Sequence, residues 1–236
     1  MNIAGLQKMT LLDFPGRVAC TVFLQGCNFR CPFCHNSDLL PGKGDVLMDD
    51  QQLLAFLKKR QGLLDGVCIT GGEPTLQETL PELLQNIKAL GFAVKLDTNG
   101  GRPEVLKAVV EAGLVDYVAM DIKNSPDAYG KTAGIKESLL RKVEESIRYL
   151  LSNKVDYEFR TTVVAELHDG ASVEQMGAWV RDLGEGQVAK RWFLQCFADR
   201  DSVLHPGLHA PENTQMRQYA AVLAPYAEFV DLRGVD

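Results

Sequence analysis

The sequence predicts an α/β fold of parallel strands, a partial, open (β/α)6-type barrel in a single domain over residues 1–236. Three observations predict it. Short apolar runs alternate with segments whose apolar residues recur at helical spacing, the pattern of βαβ units with right-handed crossovers. About six such units fit, short of the eight of a complete barrel. Polar residues and glycines gather just after the strand ends, where parallel α/β folds build their sites on one rim. A doubly wound sheet is the alternative arrangement of the same units.

The elements follow in order. Residues 18–24 are a short apolar run and read as a buried strand. Residues 51–60 carry Leu53, Leu54, Phe56 and Leu57 at helical spacing. A strand at 67–70 ends on Gly71-Gly72. The helix at 81–90 is stopped by Gly91, and the helix at 103–112 has Pro103 at its start and Gly113 at its end, with a strand at 93–97 between them. A strand at 117–121 precedes a long helix at 138–151 with Leu139, Val143, Ile147 and Leu150 on one face. Strand 157–164, helix 173–183, strand 191–195, helix 211–223 and strand 229–232 complete the chain.

Hydrophobic residues make up 46% and charged residues 24%, the balance of an ordinary soluble protein with one sizeable core. A net charge of −6 argues against non-specific nucleic-acid binding, which needs a cationic surface. No apolar run is long enough to span a bilayer, and residues 1–10 lack the pattern of a signal peptide. The expected location is the cytoplasm, with no membrane partner. There, clustered cysteines are metal ligands more often than disulfides.

Three of the six cysteines, Cys27, Cys31 and Cys34, crowd into one loop at 25–37. Cys20 and Cys68 lie in apolar runs and read as small buried hydrophobes. Cys196 falls at a strand end. Three thiolates on one loop can bind three irons of a cubane cluster, leaving one iron open for a chelating amine and carboxylate. Competing readings are a zinc site with His35 as fourth ligand, a ferredoxin completed by Cys68 or Cys196, and accidental clustering. His35 directly follows Cys34, which makes shared tetrahedral ligation awkward.

The C-x3-C-x2-C spacing with Phe33 before the last cysteine resembles the radical S-adenosylmethionine (SAM) superfamily. Gly71-Gly72-Glu73-Pro74 resembles the superfamily's Gly-Gly-Glu segment, and Asp97-Thr98-Asn99-Gly100, Asp121-Ile122-Lys123 and Cys34-His35-Asn36 resemble segments of its glycyl-radical-enzyme activases. With Thr10-Leu11-Leu12-Asp13-Phe14-Pro15-Gly16, the first part looks similar to the activating proteins of anaerobic ribonucleoside-triphosphate reductases; pyruvate formate-lyase activases are near relatives.

The resemblance implies a [4Fe-4S] cluster on Cys27, Cys31 and Cys34 and S-adenosyl-L-methionine as second cofactor. It implies that Phe33 walls the adenine, the alternative being core packing. Gly71 and Gly72, before Glu73, would let the backbone approach the methionine amino group, the alternative being an ordinary turn. Lys123 and Arg160 would hold the methionine carboxylate or ribose, and Thr98 and Asn99 would line the ribose region. Asp97 and Asp121 would share a monovalent cation, though their spacing departs from the relatives', and a strand-end cap is the alternative for Asp97. Gln195 is the choice for a late polar contact to the nucleoside; His205 and His209 read as surface residues, and His168 has no assigned role. The implied partners are a glycyl radical enzyme, the anaerobic reductase, and an external electron donor such as flavodoxin or ferredoxin. A pyruvate formate-lyase-type activase, a radical enzyme acting on a small molecule and an iron–sulfur electron carrier remain alternatives.

Overall fold

The computed structural model describes residues 1–41, 45–200 and 202–235. Its contacts gather into two compact units. The first comprises Met1–Asn28, Asp38–Thr98 and Glu104–Ala119; the second comprises Phe29–Ser37, Asn99–Pro103 and Met120–Asp236.

In the first unit, β1 (Ile3–Thr10) runs antiparallel to β2 (Ala19–Leu24), and β3 (Gly66–Gly71) and β4 (Ala93–Thr98) follow in parallel. The apolar run at 18–24 is β2, with five of its six residues buried, as a strand covered on both faces requires. β1 is not anticipated by the sequence. Its Gly5, Gln7 and Lys8 give no alternation to read, and it is kept in the sheet by pairing with β2 through two register irregularities.

Three helices connect these strands and lead on from β4. In α1 (Asp50–Lys58), Asp49 accepts from the Gln52 N–H at 2.8 Å and the Gln52 side chain accepts from the Asp49 N–H at 2.9 Å. Such a capping box contributes about 1 kcal/mol. Helix α2 (Leu80–Ala89) buries Leu83, Leu84 and Ile87, and α3 (Pro103–Glu111) opens on the expected proline. Phe14 is buried at the strands' opposite end from Leu24 and Gly71, against Ala19 and Tyr117. A Cβ on Gly66, the first residue of β3, would sit 2.9 Å from its ring.

The chain passes from the first unit to the second within β5 (Tyr117–Asp121). The second unit holds α4 (Pro126–Ala133), α5 (Glu137–Leu151), β6 (Asp156–Val163), α6 (Gly170–Leu183), β7 (Trp192–Cys196), α7 (Asn213–Leu223) and β8 (Val230–Arg233). β6, β7 and β8 are parallel neighbours in chain order. Trp192 is fully buried, and its Nε1 donates to Thr161 Oγ1 at 3.0 Å. Helix α6 starts three residues before the predicted 173, because Asp169 caps it by accepting from the Ser172 N–H at 2.7 Å. Helix α4 is also unanticipated. Its eight residues include Gly130 and carry little apolar periodicity. It ends at Gly134, in the left-handed region with φ of 64°. A Cβ there would lie 2.5 Å from the Arg30 carbonyl oxygen, so only glycine lets the cysteine loop pass. Among the described residues no helix is long and apolar enough to cross a membrane.

Candidate functional site

The first unit carries the ends of β2, β3 and β4. The Gly72 N–H donates to the Leu24 carbonyl at 2.9 Å, and the Glu73 N–H donates to the Gly26 carbonyl at 2.7 Å. A Cβ on Gly71 would sit 2.3 Å from the Leu24 backbone; one on Gly72 would sit 2.0 Å from the Gly26 oxygen and 3.3 Å from Cys27 Cβ. The two bare residues therefore have a cause inside the protein. They let the turn after β3 lie flat against the start of the cysteine loop.

Glu73 is fully buried and accepts from the Thr75 N–H at 3.1 Å, the Thr75 hydroxyl and the Thr98 hydroxyl at 2.8 Å. Its carboxylate caps the 3-10 turn Pro74–Leu76 and ties the end of β3 to the end of β4. Asp97 meets the ammonium of Lys95, which is only 2% exposed. Cys68, opposite Lys95 in register, is more than a small hydrophobe: its Sγ lies 3.7 Å from Asp97 Oδ1 and 3.8 Å from Lys95 Nζ. The sequence reading passes over Lys95, although a lysine inside a buried strand was a usable signal.

In the second unit, Asn99 is buried and its side-chain oxygen accepts from the Gly101 N–H at 2.8 Å, shaping the turn after β4. Cys31 is buried with its Sγ 3.8 Å from the Ala133 carbonyl, and the Arg30 N–H donates to the same carbonyl at 2.9 Å. Phe33 is 4% exposed, and the Lys123 ammonium stands over its ring, 5.9 Å from the centroid. Asp121, at the end of β5, accepts from Lys123 Nζ at 2.9 Å and from Arg160 Nε at 3.0 Å. Two cations around one carboxylate leave a net positive charge beside Phe33. Burial opposes the charge of Asp121, but Arg160 and Lys123 outweigh it and bring the carboxyl down from 3.8 to about 2. Burial likewise opposes the ammonium of Lys123, yet Asp121 and Cys31 hold it above the ordinary lysine range.

His168 is a residue whose part the sequence does not reveal. It is buried, its Nδ1 accepts from the Val164 N–H at 3.1 Å, and its Nε2 donates to the Lys123 carbonyl at 2.9 Å. It thus fixes the backbone that carries Lys123. The Nε2 of His35 donates to the Ala198 carbonyl at 2.6 Å and its ring stacks on Phe197 at 5.3 Å, a role distinct from ligation. Gln195, His205 and His209 are exposed. Cys27 belongs to the first unit, Cys31 and Cys34 to the second.

The sequence profile of the radical SAM superfamily matches residues 21–183, well over half of the chain, and the chain belongs to that superfamily. It is therefore a radical enzyme of the class that uses a [4Fe-4S] cluster and S-adenosylmethionine, the two cofactors its sequence implies. Its relatives within the class include activases. A Methanocaldococcus jannaschii protein provisionally named a glycyl-radical enzyme activating enzyme is 29% identical over 242 residues, covering 99% of this chain and 96% of its own length. The pyruvate formate-lyase 1-activating enzyme of Escherichia coli (strain K12) is 28% identical over 193 residues, covering 78% of this chain and 76% of that one. Among solved structures, a domain of pyruvate-formate lyase-activating enzyme from Bacteroides vulgatus ATCC 8482 superposes with a TM-score of 0.58 at 18% identity, covering 72% of this chain and 99% of that one. The predicted fold class, α/β with the parallel strands of a partial, open barrel, is borne out.

Proposed function

We propose that the chain is an activase that cleaves S-adenosylmethionine reductively and generates a glycyl radical on anaerobic ribonucleoside-triphosphate reductase. The observation that carries the cofactor chemistry is the Lys123 ammonium over the ring of Phe33 in the cysteine loop, paired with an Asp121 that Arg160 also binds. The full-length likeness to a protein named as an activating enzyme supports the activase reading.

The donor set fits an iron–sulfur cluster. Cys27, Cys31 and Cys34 lie within eight residues, a spacing that suits three ligands of one cluster. When bound, the two cofactors supply one-electron cleavage of the sulfonium to methionine and a 5′-deoxyadenosyl radical. The chain's part is to bind and orient. Lys123 and Arg160 receive the methionine carboxylate as charge-assisted donors, fixed by Asp121. Phe33 supplies an apolar wall. Gly71 and Gly72 offer backbone groups, Glu73 and Asp97 hold Thr98 and its neighbours at the end of β4, and Asn99 and Gln195 contribute polar contacts toward the nucleoside. Asp97 and Asp121 each meet a protein cation. Electrons come from an external donor such as flavodoxin or ferredoxin, in the reducing cytoplasm.

The test is electron paramagnetic resonance of the reduced, cofactor-loaded protein mixed anaerobically with candidate partners. The anaerobic reductase should acquire a glycine-centred doublet that collapses when its glycine carries deuterium at the α-carbon. A doublet on pyruvate formate-lyase instead would establish the second reading, which the Escherichia coli relative favours. Vigorous cofactor cleavage with no signal on either partner would point to a small-molecule substrate, and iron without cleavage to an electron carrier.

A further inference from the structure

We propose that His35 is a positioning residue for the cluster: its imidazole ties the turn Cys31–Cys34 to the chain just beyond β7, so that these two thiolates stand in place before iron arrives. The inference rests on the reading of Cys31 and Cys34 as cluster ligands. A loop fixes its side chains less firmly than a helix or strand, and a metal site built on one needs supporting contacts around it. The turn is closed by the Cys34 N–H, which donates to the Cys31 carbonyl at 3.1 Å. From α4, the Ala133 carbonyl accepts from the Arg30 N–H at 2.9 Å and holds the approach to the turn.

The chain after β7 reaches the same turn twice. The His205 N–H donates to the Pro32 carbonyl at 2.9 Å. His35 stacks on Phe197 with the two rings 8° from parallel, and its Nε2 donates to the Ala198 carbonyl at 2.6 Å. That stretch of chain is itself fastened. Phe197 is 1% exposed, and its N–H donates to the Val163 carbonyl at the end of β6, at 3.1 Å. Further on, the His209 carbonyl accepts from the Ala165 N–H at 3.0 Å, and the His209 N–H donates to the Glu166 carboxylate at 3.0 Å. The turn is therefore bonded to a segment anchored on β6 and on the residues that follow it.

Histidine suits this task through two properties at once. A carbonyl oxygen only accepts, so Nε2 carries the proton and the ring is the donor. The same flat ring offers a face to Phe197. A phenylalanine would stack without donating, and a glutamine would donate without stacking. His35 is joined to Cys34 by one planar peptide, so holding the ring restrains the backbone that carries the thiolate. A segment already kept in its bound shape does not have to be ordered when its ligand binds.

The experiment compares the wild type with His35→Ala, His35→Gln and His35→Phe. Amide hydrogen exchange is read in the metal-free protein, and iron loss to a ferrous chelator is timed after anaerobic reconstitution. In His35→Ala, the Cys34 and His205 amides should exchange faster, while β6 and β7 keep wild-type protection. Iron should leave roughly ten- to hundredfold faster, the factor by which metal binding weakens when other groups that orient a ligand are removed. The glutamine and phenylalanine variants, each keeping one of the two contacts, should fall between. The proposal is overturned if His35→Ala exchanges and holds iron like the wild type. It is equally overturned if exchange rises as much in β6 and β7, or rises around Phe197 alone with iron held as before. A wild type that takes up no iron would sink the reading of the cysteines, and exchange at Cys34 in the metal-free protein would then by itself uphold or overturn the tie made by His35.

Discussion

Asp121 is held by two cations, Lys123 just after β5 and Arg160 on β6, and that arrangement separates two kinds of defect. Lys123→Ala or Arg160→Ala removes a charge-assisted donor worth about 1.5–3 kcal/mol to a ligand carboxylate, so affinity for S-adenosylmethionine should fall roughly ten- to hundredfold. Neither change removes a cysteine ligand, so iron content should stay near the wild-type level, while Cys27→Ala, Cys31→Ala and Cys34→Ala should lose iron. Calorimetric affinity together with iron analysis checks this, and unchanged affinity in both cation variants would remove them from the site. These residues were legible because their chemistry is local: a cysteine spacing, a lysine after Asp121, an arginine in a β-branched strand. Lys95 and His168 were not. Their meaning depends on what burial brings against them, Asp97 and Cys68 for one, two backbone groups for the other.

Elements whose residues repeat a period were found within one to three positions, and those that lack one were missed. β1 has no alternation and α4 no apolar stripe; partners hold both in place, β2 for the strand and the Arg30 segment for the helix end. His168 belongs to this scale, because it joins the segment after β6 to the backbone after β5. Burial lowers its pKa from 6.5, outweighing its hydrogen bonds to the Lys123 and Val164 backbone, which favour the charged form. The sign follows: a group whose folded pKa is depressed contributes stability above its unfolded value and loses it as pH falls through the folded one. Melting should therefore drop as pH falls below 6.5, and the drop should shrink in His168→Gln. Equal slopes for the two proteins between about pH 7.5 and pH 5.5 would show that this histidine does not set the acid limit.

At the scale of the whole molecule, the alternation of strand and helix carried the fold class, because a parallel sheet needs a crossover between strands. Partner choice was not carried by it, since that lies on surfaces no period describes. The deep placement of Lys95 has a separate use. Amine acylation needs a deprotonated, exposed amine, and this one is withdrawn from solvent and paired. In a pulse of acetylating reagent, lysines such as Lys8 and Lys58 should label at once, whereas Lys95 should wait for the first unit to open. Its labelling rate, read by peptide mass spectrometry, is then a clock for that opening. Running the clock with and without S-adenosylmethionine would measure how strongly the cofactor keeps the fold closed, with no probe attached and no radical chemistry required.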